Sequence, residues 1–296
     1  MPLLALDLGG TKLASGLFST DGELFQRDST LLAGRRGRDV GALIAERVAA
    51  VRQQAVVTAV GIAVPGIYRA ERGTVWAPNI PGWDDYPLLR ELQQAVGADV
   101  AVTIDSDRAA CVLGESWCGA AQGSRNAIFV AVGTGIGVGL LVDGRVLRGH
   151  GDIAGAAGWL AVRQPHRAEY VDCGCLEYHA SGPGLLKVAS PSQRYPTTAD
   201  LFAAYDAGDR VAREVVDDAV GLWGMMAANL VSLFNPEIIV FGGGVFGPAS
   251  RLLDRIRAEA TCWAQPISMQ QVRFAVSALG GDAGLYGAAR LAAVQE

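Results

Sequence analysis

The chain has 296 residues, half of them hydrophobic and 19% charged, which is enough for one large or two ordinary domains with a substantial core. A formal net charge of −5 without a long Lys/Arg run argues against a nucleic-acid surface, and five irregularly spaced cysteines do not make a disulfide framework. No basic stretch with a long apolar core opens the chain, and the uncharged run Asn126–Val142 has four glycines in 17 residues; a soluble cytoplasmic protein without a membrane partner is expected.

The first stretch, Leu4–Phe18 (LALDLGGTKLASGLF), reads as strand, tight glycine turn, strand, ending at Asp21-Gly22. A Walker-type loop places four residues between its glycine and Gly-Lys and opens a helix; here Gly9 and Gly10 are adjacent and a second apolar run follows. The turn would present backbone N–H groups, the Thr11 hydroxyl and the Lys12 ammonium together, donors suited to phosphate oxygens. Asp7, on the strand just before it, is where a carboxylate could hold Mg²⁺ directly or through water. An ordinary hairpin with a surface lysine fits this stretch equally well.

Asp39–Val57 has apolar residues at helical spacing, and Val60–Val64 is a short buried strand stopped by Pro65-Gly66. Val75–Trp83, with two prolines and two tryptophans, leaves no room for a regular element; its Asn79 suits either a hydroxyl-rich ligand or an Asx-type turn. The strand Asp99–Ile104 delivers Asp105-Ser106-Asp107 to a helix, Arg108–Trp117. Carboxylates there serve as helix caps or, facing a phosphate turn, as a general base. Ile128–Leu147 then repeats the opening plan: apolar strand, Gly133-Thr134-Gly135 turn, apolar strand, Asp143-Gly144. Two such hairpins suggest a duplicated architecture with one phosphate-facing turn per half.

Gly149–Gly158 is a glycine- and alanine-rich loop, Cys173-Gly174-Cys175 follows, and Thr197–Phe234 is helical in two or three pieces with Asn235-Pro236 as the break. Glu237–Phe241 is a buried strand ending in Gly242-Gly243-Gly244; a helix Pro248–Trp263, a strand Val272–Val276 and a helix Asp282–Val294 close the chain. The Gly242-x-Gly244-x-x-Gly247 run matches a dinucleotide-binding pattern, but no acid ends the next strand and little chain follows, so a turn against a nucleotide's base or ribose fits better. The alternation is α/β with mixed sheets, two lobes and a cleft between them.

Five motifs, in order, carry a family resemblance: LDLGGTK (Leu6–Lys12), VPGI with APNIPGW (Val64–Ile67, Ala77–Trp83), SDRAACVLGE (Ser106–Glu115), VGTGIGVGLLVDG (Val132–Gly144) and FGGGV (Phe241–Val245). The closing GDAGLYGAA (Gly281–Ala289) also fits. The chain resembles the ROK family of sugar kinases over essentially its whole length. The resemblance implies an actin/hexokinase-like (ribonuclease H-like) fold with duplicated domains and a central cleft. It implies an N-terminal lobe of residues 1–108, a C-terminal lobe of 109–281 and a closing helix, 282–296, packed back on the first lobe. It further implies ATP and Mg²⁺ as cofactors, a small-molecule sugar or polyol as substrate, and a homodimer.

Residue by residue, the family's Asp lies eight before its Glu; counted back from Glu115, that is Asp107, the implied base toward the attacking hydroxyl. Asp7 is the implied Mg²⁺ site. Gly9, Gly10, Thr11, Lys12, Gly133, Thr134, Gly135, Gly242, Gly243 and Gly244 are the implied nucleotide and phosphate contacts. Gly66, Asn79, Ser106 (Asn in the family) and Glu177 are implied around the sugar. The family's Ala-Gly-Glu-x-Gly-His is here Ala154-Gly155-Ala156-Ala157-Gly158-Trp159, so the two polar sugar ligands become Ala156 and Trp159. The same His and three cysteines bind a structural zinc in the family; here Trp159, Ala168 and Tyr170 stand at three of the four places, and no zinc is expected. An ATP-dependent carbohydrate kinase is the leading expectation, with weak activity on glucose and N-acetylglucosamine. A kinase for a cyclitol or deoxy sugar, and a catalytically weak sugar-binding or regulatory relative, are the alternatives.

Overall fold

The computed structural model describes residues 2–97, 99–189 and 194–294. Ala98, residues 190–193 and the last two residues of the 282–296 segment, all within the expected lobes, lie outside the described residues. The elements in chain order are β1 (Leu3–Leu8), β2 (Lys12–Phe18), β3 (Leu24–Leu31), α1 (Arg38–Gln54), β4 (Ala59–Val64), β5 (Ile67–Arg69), β6 (Thr74–Trp76), α2 (Leu88–Val96), β7 (Ala101–Ser106) and α3 (Asp107–Cys118). There follow β8 (Ala127–Val132), β9 (Ile136–Val142), β10 (Arg145–Val146), α4 (Tyr170–Cys173), α5 (Cys175–Ala180), α6 (Gly182–Ala189), α7 (Thr198–Asp206) and α8 (Arg210–Phe234). The chain closes with β11 (Ile238–Gly242), α9 (Leu253–Trp263), α10 (Pro266–Gln271), β12 (Arg273–Val276) and α11 (Ala283–Ala293).

Two compact units form: residues up to Gly123, Val146–Ala154 and the chain from Asp282 on make the first; Ser124–Arg145 and Gly155–Gly281 make the second. Each holds a five-stranded mixed sheet, ordered β3-β2-β1-β4-β7 and β10-β9-β8-β11-β12. In each, the opening hairpin is antiparallel and the next two strands add in parallel. The first unit therefore ends beyond residue 108. Helix α3 stays with it because α3 packs on α11, which also covers β1 and β4.

Strand alternation sorts the first sheet's faces. Leu4, Leu6 and Leu8 meet Val40, Ile44 and Val48 of α1 in one core. Leu3 and Ala5 face the other way, against Ala110 of α3 and Leu285, Ala288 and Ala289 of α11. Small residues let backbones close up there: a Cβ at Gly61 would strike the Ala288 carbonyl, and one at Gly287 that of Ala110. Asp7 shares the alternation of Leu3 and Ala5, so its carboxylate is aimed at the α3/α11 side.

The second unit's core forms around Trp223, Phe241 and Phe246, all at most 2% exposed. Helix α8 starts at the N-cap Asp209, which accepts from Ala212 N at 3.0 Å, and stops at Asn235, whose φ of 44° is left-handed before Pro236. Two expectations are corrected. The run from Val75 does contain part of a strand, β6, which pairs antiparallel with β5, Tyr68 opposite Val75; Val75 also exchanges backbone hydrogen bonds with Tyr86 at 2.9 Å. The expected single helix 248–263 is a 3₁₀ turn, Pro248–Leu252, running into α9. No helix among the described residues is long and apolar enough to cross a membrane.

Candidate active site

In the first unit the β1–β2 turn closes on itself, Gly9 N–H donating to Lys12 C=O at 2.9 Å. The Gly9 amide is thus spent inside the turn; Gly10, Thr11 and the exposed Lys12 side chain remain as the donors a phosphate would meet. In the second unit Gly133 plays the same part, its N–H reaching Gly135 C=O at 2.9 Å, and Thr134 at the tip is exposed. Both leading glycines direct their own amides into the turn rather than outward.

Asp7, partly buried, lies against the start of α11: a Cβ at Gly284 would stand 2.7 Å from Asp7 Oδ2. Burial first, then the neighbouring Asp107 carboxylate, pushes Asp7 up to about 7, against the pull of Lys12. Asp107 begins α3. Its Oδ1 accepts from Arg108 N at 2.8 Å, leaving Oδ2 as its other acceptor. Burial raises its pKa above the ordinary carboxylate value, opposed chiefly by the Arg108 guanidinium. Glu115, from which Asp107 was counted, is fully buried and accepts from Ala120 N at 2.7 Å, so it closes the far end of α3.

Ser106 is the N-cap of α3; its Oγ accepts from Ala109 N at 3.3 Å and the residue is 8% exposed. Asn79 sits beside the phosphate turn, its Nδ2 3.0 Å from where a Cβ on Gly10 would be. Among the described residues its amide has no hydrogen-bond partner, so the Asx-turn alternative is not what the loop uses. The loop is held instead by Trp83, stacked on Tyr86 at 4.4 Å and donating through Nε1 to Gly37 C=O at 2.9 Å. Gly66, with φ 86° and the Trp76 carbonyl where a side chain would go, admits no other residue without strain.

The second unit gathers the remaining candidates. Glu177, on α5, accepts from Ile136 N through Oε2 at 2.7 Å, directly after the Gly133–Gly135 turn. A Cβ at Gly135 or Gly158 would come within 2.7 and 2.8 Å of that oxygen, so the turn and the Ala157–Trp159 segment enclose this carboxylate. Burial raises its pKa, and the Ile136 N–H opposes the shift. The Gly242–Gly244 turn adjoins Gly133: a Cβ there would lie 3.9 Å from Gly244 N, and Gly243 turns with φ 88°. Ala156 is exposed, and Trp159 is 55% exposed, so the indole does not fill an interior space.

The two metals the family implies fare differently. A partly buried carboxylate at the end of β1, with the Asp107 carboxylate near, is an oxygen donor set that fits Mg²⁺ bound through protein oxygen, water and nucleotide phosphates. Zinc does not fit. Tyr170 is 5% exposed, its hydroxyl is 2.8 Å from His179 Nε2, and the rings of His166, Tyr178 and His179 meet it edge-on. An aromatic and imidazole cluster occupies the region where a four-coordinate site would need thiolates.

Three arginine contacts beside the site were not signalled by any motif. Arg148 pairs with Asp105 at 2.7 Å, Arg27 pairs with Asp282 at 2.7 Å, and Arg108 donates to the Gly66 carbonyl at 3.2 Å. Asp105 and Arg108 flank Asp107 in sequence, but neither their partners nor the Arg27 contact is signalled by spacing.

The sequence profile of the ROK family matches residues 3–295. A glucokinase of Halalkalibacterium halodurans is 30% identical over 99% of this chain and 95% of its own. A ROK hexokinase of Thermus thermophilus superposes with a TM-score of 0.83 at 34% identity, covering 99% of this chain and 98% of that one. A ROK family glucokinase of Streptomyces griseus, solved with glucose and AMPPNP, gives 0.80 at 29% identity, covering 99% of each.

Proposed function

The chain belongs to the ROK family, and from that premise we propose that this ATP-dependent carbohydrate kinase transfers the γ-phosphoryl group to a hydroxyl of a sugar or sugar-like polyol, with an acceptor preference unlike that of a common hexokinase. The observation that carries the reading is the placing of Asp107 by the β1–β2 turn: its charge adds to the burial that raises Asp7 to about 7, and Lys12 opposes both. Asp107, fixed through Oδ1 at the start of α3, accepts the proton of the attacking hydroxyl through Oδ2 as the new bond forms. Gly10, Thr11 and Lys12 bind phosphate oxygens and offset their charge. Asp7 is the residue that would hold Mg²⁺, whose chemistry when bound is to neutralise charge on the phosphates. In the second unit, Thr134 and the Gly242–Gly244 turn suit contact with the nucleotide.

In the first unit, Asn79 and the Gly66 loop suit hydrogen bonds to the acceptor. Ala156 and Trp159 replace two polar ligands with a methyl and an exposed indole, which suits the C–H edge of a deoxygenated or differently substituted ring and forfeits discrimination by hydroxyl. Low kcat/KM on glucose and N-acetylglucosamine is the expected result. ADP release measured over hexoses, N-acylhexosamines, deoxy sugars and cyclitols tests this, with Trp159→Ala alongside. Efficient turnover of glucose, indifferent to the Trp159 change, would remove the acceptor preference. No ADP release with any acceptor would point to a binding or regulatory relative.

A further inference from the structure

Arginines that are partly buried in this protein have their charge answered. Arg47 pairs with Asp28, Arg52 with Asp99, Arg69 with Asp85 and Arg148 with Asp105, while Arg290 lies over the Trp117 ring. Arg108 is the exception. Among the described residues it has no carboxylate within ion-pair distance and no aromatic face, and its one side-chain hydrogen bond is Nη2 to the Gly66 carbonyl at 3.2 Å. A guanidinium has five N–H donors in a fixed fork, and taking it out of water with most of them unanswered is costly. Such a group fits an oxyanion supplied from outside the chain.

Its position says which side of the site that anion would come from. Lys12 is the cation whose charge acts on Asp7 at the phosphate turn, whereas Arg108 is the cation that acts on Asp107. The Gly66 carbonyl anchors the guanidinium at the end of β4, on the strand between β1 and β7. Anchored at Gly66 and next in sequence to Asp107, the free edge of the fork belongs with the acceptor rather than with the nucleotide phosphates that Lys12 serves.

We propose that Arg108 selects an acceptor that carries an anionic group, a carboxylate or a phosphate, near the hydroxyl that is phosphorylated. This rests on the kinase reading above and adds the charge of its substrate. Phosphate and carboxylate share the chemistry that the fork recognises, and so does the γ-phosphate of ATP, so the test must separate acceptor from nucleotide.

The experiment measures kcat/KM for ADP release with matched acceptors, D-glucose against D-glucuronate and glucose 6-phosphate, and D-galactose against D-galacturonate, for wild type, Arg108→Gln and Arg108→Lys. KM for MgATP is measured in parallel, and thermal melting checks that each variant folds. In wild type at least one acidic acceptor is expected to exceed its neutral counterpart about tenfold or more, the scale of a charged hydrogen-bonded pair. Arg108→Gln should collapse that ratio, and Arg108→Lys should recover part of it. Neutral acceptors preferred throughout, or a ratio unmoved by Arg108→Gln, overturns the proposal and leaves the kinase reading standing. A rise in KM for MgATP with no change in the ratio also overturns it, assigning the guanidinium to the nucleotide. If no acceptor is turned over, the kinase reading fails, and calorimetric binding of glucuronate and glucose still decides: equal affinities, or affinities insensitive to Arg108→Gln, overturn the charge preference.

Discussion

Arg148 holds the Asp105 carboxylate by one oxygen: Nε and Nη2 both reach Oδ2, at 3.0 and 2.7 Å, while Oδ1 takes the Ser106 amide at 2.8 Å. Two residues on, Asp107 has no such clamp among the described residues; its partners are a backbone amide and the Arg108 charge. The two aspartates at the end of β7 therefore do different work. Asp105 is committed to structure, and Asp107 retains a free oxygen.

Asp107→Asn is expected to lower turnover by about 10²-fold or more while nucleotide binding persists, the range for losing a positioned base. Asp105→Asn should instead lower the melting temperature, by a loss of about 1–3 kcal/mol, and retain more turnover than Asp107→Asn. Because burial raises the Asp107 pKa, the acid limb of kcat/KM should lie above the ordinary aspartate range, activity falling as the pH drops through it. The reverse ranking of the two variants in steady-state assays would move the base to Asp105.

Asp7 links stability to pH. Its folded pKa of about 7 exceeds the ordinary 3.8, so the folded chain keeps a proton that the unfolded chain has already lost. The stabilisation from this site is complete below about pH 3.8, declines as the pH rises and is gone above about 7. Asp7→Asn removes that slope. Melts without nucleotide from pH 5 to 8 should show the variant gaining on wild type as the pH rises, with turnover abolished throughout. A constant difference across the range would mean that the Asp7 carboxyl titrates alike in both states.

The Tyr170–His179 hydrogen bond should hold α5 without metal. Purified protein is expected to contain no stoichiometric zinc and to melt at the same temperature with or without a strong chelator. Tyr170→Phe should cost about 1–2 kcal/mol, from a buried imidazole left without its partner. Zinc analysis at about one per chain, lost on mutating Cys173 or Cys175, would contradict this.

Gly284→Ala places a methyl 2.7 Å from Asp7 Oδ2. The carboxylate must shift, and turnover is expected to fall well before the fold does. Unchanged kinetics in a correctly folded variant would show that the start of α11 yields and that Asp7 is not held by it.

Much of this architecture was legible in the residues. The alternation of Leu4, Leu6 and Leu8, the glycine turns and their Asp-Gly closures marked both hairpins, because strand period and turn chemistry are local. The strand β6 was not legible, since it exists through its antiparallel pairing with the three-residue β5 across a turn. Neither was the use of the Gly9 and Gly133 amides, which depends on how tightly each turn closes. Asp107 was reached by counting from Glu115. The ion pairs of Arg148 and Arg27, and the lack of one at Arg108 among the described residues, arise only when distant segments meet.

Helix α11 is the last element of the chain, yet it covers β1 and β4 and packs on α3. The ribosome therefore releases the first sheet long before its cover exists, and the entire second unit is synthesised in the interval. Until then Ala5, Ala63 and Ala110 present an unroofed apolar face to the cell. Nascent chains stalled before Asp282 should for that reason be held by chaperones or aggregate, however complete the opening hairpin already is.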